Sequence, residues 1–374
     1  MKFGAPFKVR VSPIAKMTTY KEALVIASNV ENEIHVMDPY NGTKLYTFKN
    51  NTSTKKGLLL LPHTRSIVSV QAKKAAIQVW SWGKEAPLYK SVLAEKMGPI
   101  TASHCGHYLL AGSLSGKIYV WYLPTGKLLR VWDGHYKAIN CMTMTSDDGY
   151  IISGGEDAII NVWNFVDVVD KSLEEEIPRP VRTWNDHVLP VTDVVVGIGG
   201  SSGRIVSCSM DRTCKMFDIP SGERLYSVTC PSPLTCVAMD TQEQRVYMGA
   251  ADGKVYIMNL MAASVSNLNA RVQVETFSST GVSLTQDPLL PRSLEGAETP
   301  ISALVISDCG TRVCAASDAG VVRIYDARSG QVIQTIDTKG TVSALVLTPR
   351  PENLFGSQVN SPLVQPLRKY MNTV

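Results

Sequence analysis

The chain has 374 residues, 44% of them apolar, and 37 basic against 33 acidic side chains give a formal net charge of +4. That composition excludes a disordered chain and excludes the strong basic field of a nucleic-acid-binding domain, so direct RNA contact has no support here. Met1–Val11 lacks the apolar run of a secretory leader, and no stretch reaches the roughly 18 uninterrupted apolar residues of a membrane span, so a soluble intracellular protein with no membrane contact is expected. The eight cysteines form no C-x-x-C pair and most stand in apolar strand-like runs, which fits a reducing compartment.

Self-similarity organises the rest. An alternating apolar run ending in an aromatic residue or Met recurs, in chain order, at Ile34–Asp38, Ile77–Trp80, Ile118–Trp121, Ile160–Asn164, Cys214–Asp218, Val255–Asn259 and Val321–Asp326. Its period of two is that of a strand, and most copies follow a tight turn such as Ser115-Gly116 or Ala251-Asp252-Gly253. A second segment type begins at Gly57, Pro99, Ala138, Pro190, Pro233, Pro300 and Thr341 and reads as the inner strand of each unit. The two sets are offset: the first has no good inner strand before it, and Thr341–Leu347 has no unit after it. This predicts an all-β, seven-bladed propeller in which Thr341–Leu347 closes the first blade beside Glu22–Ser28, removing the open edges of the ring.

Three segments interrupt the repeat. Asp167–Arg182, with Glu174–Glu176, Pro178 and Pro180, reads as a short helix and a solvated loop. Met261–Glu298 reads as a second insert, adding an outer strand at Arg271–Phe277. The propeller is thus expected over residues 1–348, followed by a Pro-rich tail at 349–374 laid across the rim.

The chemistry-bearing residues concentrate in blades four and five. His135 is followed by Ser153, Asp157 and Trp163, and His187 by Ser207 and Asp211, with Phe217 where Trp163 stood. His, Asp and Ser together also suggest a nucleophilic triad, but the repetition of the arrangement and the indole claim on the serine favour scaffolding, and blade five is expected to be one bond short because Phe217 has no donor. Elsewhere the Asp position holds Glu31, Lys74, Ser115 and Ala319, and Asp252 has no matching His, so those blades are expected to rest mainly on apolar packing between sheets. Gly197–Gly203 misses the dinucleotide fingerprint and reads as a hairpin loop; Gly112–Lys117 is one residue short of a P-loop. His104 and His107 lack further ligands, so no metal, cofactor or catalytic residue is expected.

The His-Ser-Asp-Trp spacing resembles the hydrogen-bonded tetrad of WD-repeat propellers. Within that class, His187–Asp193, Gly197–Gly200, Ser207–Lys215 and Ser221–Leu225, with Arg130–His135 and Ser153–Asp157, make the chain similar to the WD-repeat subunit of the Rix/Ipi (PELP–TEX) complex. The resemblance implies a non-catalytic scaffold for maturation of pre-60S particles and processing of spacer rRNA in the nucleus (nucleolus and nucleoplasm). It implies as partners a helical-repeat scaffold of the Rix/PELP type, an Ipi/TEX-type subunit and a midasin-type AAA ATPase. It also implies a C-terminal self-association helix, for which the tail shows no heptad pattern. Two other roles compete. A ubiquitin-ligase substrate receptor would need several arginines evenly placed on one face, and an enzymatic propeller would need converging acids and bases where the inner strands offer Thr, Ser, Cys and Ala. Because the repeat closes without the tail, Leu367, Tyr370 and Met371 are candidate partner-binding residues.

Overall fold

The computed structural model describes residues 22–29, 32–62, 64, 66–170, 177–260, 274–276, 299–349 and 364–370. They form seven antiparallel four-stranded sheets, numbered here as blades in chain order. From the channel outward, blade one is Val342–Pro349, Glu22–Ser28, Glu33–Met37 and Lys44–Lys49, and blade two is Ser53–Leu61, Ser66–Gln71, Ala76–Ser81 and Tyr89–Val92. Blade three is Met97–Ala102, Tyr108–Ser113, Lys117–Tyr122 and Lys127–Asp133, and blade four is Ile139–Met144, Tyr150–Gly155, Ile160–Asn164 and Arg182–Trp184. Blade five is Val191–Val196, Arg204–Ser209, Thr213–Asp218 and Arg224–Thr229; blade six is Leu234–Met239, Arg245–Ala250, Val255–Asn259 and Val274–Thr276. Blade seven is Ile301–Ile306, Arg312–Ser317, Val321–Asp326 and Val332–Asp337.

The middle strands are covered on both faces by neighbouring blades, so they read as near-continuous apolar runs such as Leu24–Ala27, while outer strands such as Val332–Asp337 alternate with solvent. The core is accordingly divided into seven slabs, one between each pair of adjacent sheets. Closure pairs the expected strands, in the register Glu22 opposite Pro349 through Leu24 opposite Leu347 to Ser28 opposite Val342. The two ends of the propeller are therefore joined by a full ladder of main-chain bonds.

Each inner strand carries a register shift near its start, a bulge that locally interrupts the ladder. Blade two is the extreme case. There the step from Ser53 to Leu58 faces only the step from Gln71 to Ser69, so Thr54–Gly57 bulge out and Lys56 sits at φ +55°.

The first insert departs from its expected bounds. The helix is Phe165–Val169, starting where the third strand of blade four ends, with the Asn164 side chain accepting from Val166 N. Phe165 and Val168 are buried, and the Arg130 guanidinium donates to the carbonyls of Asp167 and Asp170 at the open helix end. Arg182 belongs to the outer strand of the blade. Glu174–Glu176 lie outside the described residues, as does all of Met261–Glu298 except Val274–Thr276, a shorter strand than expected.

Candidate functional site

In blade four, His135 Nδ1 lies 3.0 Å from Asp157 Oδ1, His135 Nε2 2.8 Å from Ser153 Oγ, and Trp163 Nε1 donates to Ser153 Oγ at 3.0 Å. With Nδ1–H donating to the carboxylate, the bare Nε2 accepts the Ser153 hydroxyl proton, and every polar atom of the set is used. Asp157 also accepts from the amides of Tyr136 and Ile159. Burial opposes its ionisation, but these bonds outweigh it and hold the carboxyl below its ordinary value.

Blade five repeats the geometry, with His187 Nδ1 3.0 Å from Asp211 Oδ2 and His187 Nε2 2.8 Å from Ser207 Oγ. Phe217 gives Ser207 no donor, as its ring requires, and stacks instead on Trp184. The network is not simply one bond short, because the Thr213 hydroxyl and amide both donate to Asp211. Burial pushes the Asp211 carboxyl up, yet the Thr213 and His187 bonds bring it down to about 2. Ser153 and Ser207 are completely buried, so no substrate reaches either hydroxyl.

The blades without a tetrad are not held by apolar packing alone. In blade two, Asn51 Oδ1 accepts from Ser69 Oγ and Gln71 Nε2; in blade three, Glu95 accepts from Ser115 and from the Tyr119 hydroxyl; in blade six, the Tyr256 hydroxyl donates to Asp252. Several of these residues stand at tetrad positions, Ser69 at that of Ser153 and Ser115 and Asp252 at that of Asp157, but without the histidine, so a search for the His-Ser-Asp spacing passes over them.

The small polar residues of the inner strands have a shared task that the sequence reading missed. At the bulges, Thr54 Oγ1 donates to Gly98 O, Asn140 Nδ2 to Val191 O, Thr192 Oγ1 to Leu234 O and Thr235 Oγ1 to Ile301 O, each from one blade to the start of the next inner strand. Ser343 and Ser53 hydroxyls meet at 2.8 Å between the inner strands of blades one and two. The recurring Pro-x-Thr and x-Asn-Cys pattern was the available signal. Across the channel, Lys56 Nζ reaches Asp193 Oδ2 at 2.7 Å. Burial disfavours the ammonium, but the charge and hydrogen bond of Asp193 raise the Lys56 pKa above its ordinary value. Burial likewise pushes up the thiols of Cys141, Cys208 and Cys236 nearby.

The candidate tail residues separate. Leu367 is not offered outward: it is 6% exposed and packs with Val364 into the slab between blades two and three, because the tail forms main-chain bonds that draw both side chains in. Tyr370 is 66% exposed, and Met371 lies outside the described residues. His104 is bonded to Asp148, and His107 stacks on Tyr122. Gly197–Gly203 is the connection between the first two strands of blade five, with Ser201 bonded to Asp147 of blade four. Among the described residues no three His, Cys, Asp or Glu side chains are grouped to hold a metal, and no helix is long and apolar enough to cross a membrane.

Seven four-stranded blades, two of them held by His-Ser-Asp networks, define a WD-repeat β-propeller. Residues 126–164, 178–218 and 289–326 match the family described as WD domain, G-beta repeat. The chain is 28% identical over 337 residues to human WD repeat-containing protein 18, covering 88% of this chain and 73% of that protein. It is 30% identical over 323 residues to Protein ROOT INITIATION DEFECTIVE 3 of Arabidopsis thaliana, covering 85% and 69%. Pre-rRNA-processing protein IPI3 of Yarrowia lipolytica is 29% identical over 307 residues, covering 80% and 69%. The chain belongs to the WD-repeat family that these proteins represent.

Proposed function

We propose that the protein is a non-catalytic scaffold subunit of a nuclear complex that matures pre-60S ribosomal particles and processes spacer rRNA. The observation that carries this reading is the similarity to a protein named for pre-rRNA processing, running across 80% of the chain and so through most of the propeller. The sealed serines support the non-catalytic part, since both triad-like geometries among the described residues are closed to substrate. In this reading a helical-repeat subunit of the Rix/PELP type holds the propeller, and an Ipi/TEX-type subunit and a midasin-type AAA ATPase complete the assembly. The inserts at 167–182 and 261–298, apart from Arg182 and Val274–Thr276, which complete the outer strands of blades four and six, and the exposed part of the tail are its docking elements, because loops on a rigid scaffold are where recognition is usually placed. Depletion of the protein in its own cells tests the role. Large-subunit precursors with unprocessed spacer RNA are expected to accumulate on RNA blots and gradients; normal large-subunit levels would refute it.

A further inference from the structure

Blade three has Ala111 where blade four has Ser153, so the buried indole of Trp121 finds no hydroxyl in its own blade. Its N–H donates instead to the carbonyl of Arg368 at 3.0 Å. That bond belongs to a set. Gln365 N donates to Leu123 O at 3.1 Å, Leu367 N to Ser91 Oγ at 2.8 Å and Arg368 N to Gly126 O at 2.8 Å, so a seven-residue stretch is read mainly through its backbone. Of the described tail residues only Val364 and Leu367, three residues apart, enter the slab between the blades. Gly126, at φ +64°, lets the backbone of Pro366 approach so closely that a Cβ there would stand 2.2 Å from the Pro366 carbonyl.

Main-chain bonds for affinity and pockets for particular side chains for specificity are how folded domains capture peptides. We propose that the groove between blades two and three is a peptide-binding site for extended segments with two aliphatic anchors three residues apart, and that residues 364–370 are its ligand in cis. A partner carrying such a segment gains the site only by displacing the tail, which makes the tail a built-in competitor. This inference stands independently of the ribosomal role.

The test uses full-length protein carrying Leu367→Asp, which empties the second anchor pocket, with Leu367→Ala as a milder variant should the first fail to fold. A fluorescently labelled peptide of residues 362–371 is titrated by anisotropy into variant and unaltered chains. Saturable binding to the variant is expected, with binding to the unaltered chain weaker by about tenfold or more because the tethered tail competes at high effective concentration. The peptide is also expected to raise the melting temperature of the variant, and a peptide with Asp in place of Leu367 to do neither. Equal binding to both chains, no binding to either variant, or a variant that melts like the unaltered protein would overturn the proposal.

Discussion

Lys56 and Asp193 are 137 residues apart in the chain and 2.7 Å apart in the channel, where they join the inner strands of blades two and five. Asp193 is 1% exposed and also accepts from the amides of Val194 and Val237, whereas the Lys56 side chain is 37% exposed to the channel. Removing the carboxylate strands two amides and an ammonium, so Asp193→Ala is expected to cost about 3 kcal/mol or more, and Lys56→Met less because Asp193 keeps its amide bonds. Urea unfolding of both variants and of the double variant checks this; the double variant should lose less than the two singles together. The raised Lys56 pKa places its contribution fully below pH 10.5, the ordinary value, with loss only as pH climbs beyond it, so no change in this pair is expected near neutrality.

The tetrads differ at the serine. Ser153→Ala leaves both the Trp163 indole and His135 Nε2 without a partner, while Ser207→Ala strands His187 Nε2 and a weak contact to the Lys215 carbonyl. Losses of about 2–3 kcal/mol and about 1–2 kcal/mol respectively are expected from the usual cost of orphaned buried polar groups. Equal shifts in denaturation midpoint would contradict the ranking, and a hydrolase activity lost with Ser153 would overturn the structural assignment.

Closure depends on the last inner strand. A chain ending at Lys339 lacks Val342–Pro349 and leaves Glu22–Ser28 as an unpaired apolar edge, which is expected to aggregate. Size-exclusion chromatography of the truncated protein reads the outcome, and a soluble fragment that unfolds cooperatively would show that the ladder is dispensable.

Acid should loosen blade five in two stages. Burial first, against the opposing pull of Asp211, depresses His187 below its ordinary 6.5, so the folded state favours the neutral ring and its contribution is lost as pH falls below 6.5. Asp211, ordinarily 3.8 and here about 2, adds stability that is complete above 3.8 and disappears as pH falls toward 2. Melting temperature followed from pH 7 downward should decline in both windows, and His187→Gln should remove the part of the slope that begins just below 6.5.

The sequence by itself determined the ring. Period-two alternation is a local property, a repeat of similar units is visible without coordinates, and the offset between inner and third strands implied the closing strand that the register confirms. The tetrad residues were legible for the same reason, since His135, Ser153, Asp157 and Trp163 stand at fixed spacing within one unit. Partners that come from different units were not legible. Lys56 meets Asp193 only because the ring brings opposite inner strands to one axis, and Thr192 meets the Leu234 carbonyl only where one blade leans on the next. Leu367 shows the limit most plainly: in sequence it is one apolar residue of a Pro-rich tail, and the absence of any hydroxyl for Trp121 in its own blade helps explain why the tail is held and Leu367 is buried. Where a chemical need arises in one blade and is met from a distant part of the chain, tertiary structure alone decides the match.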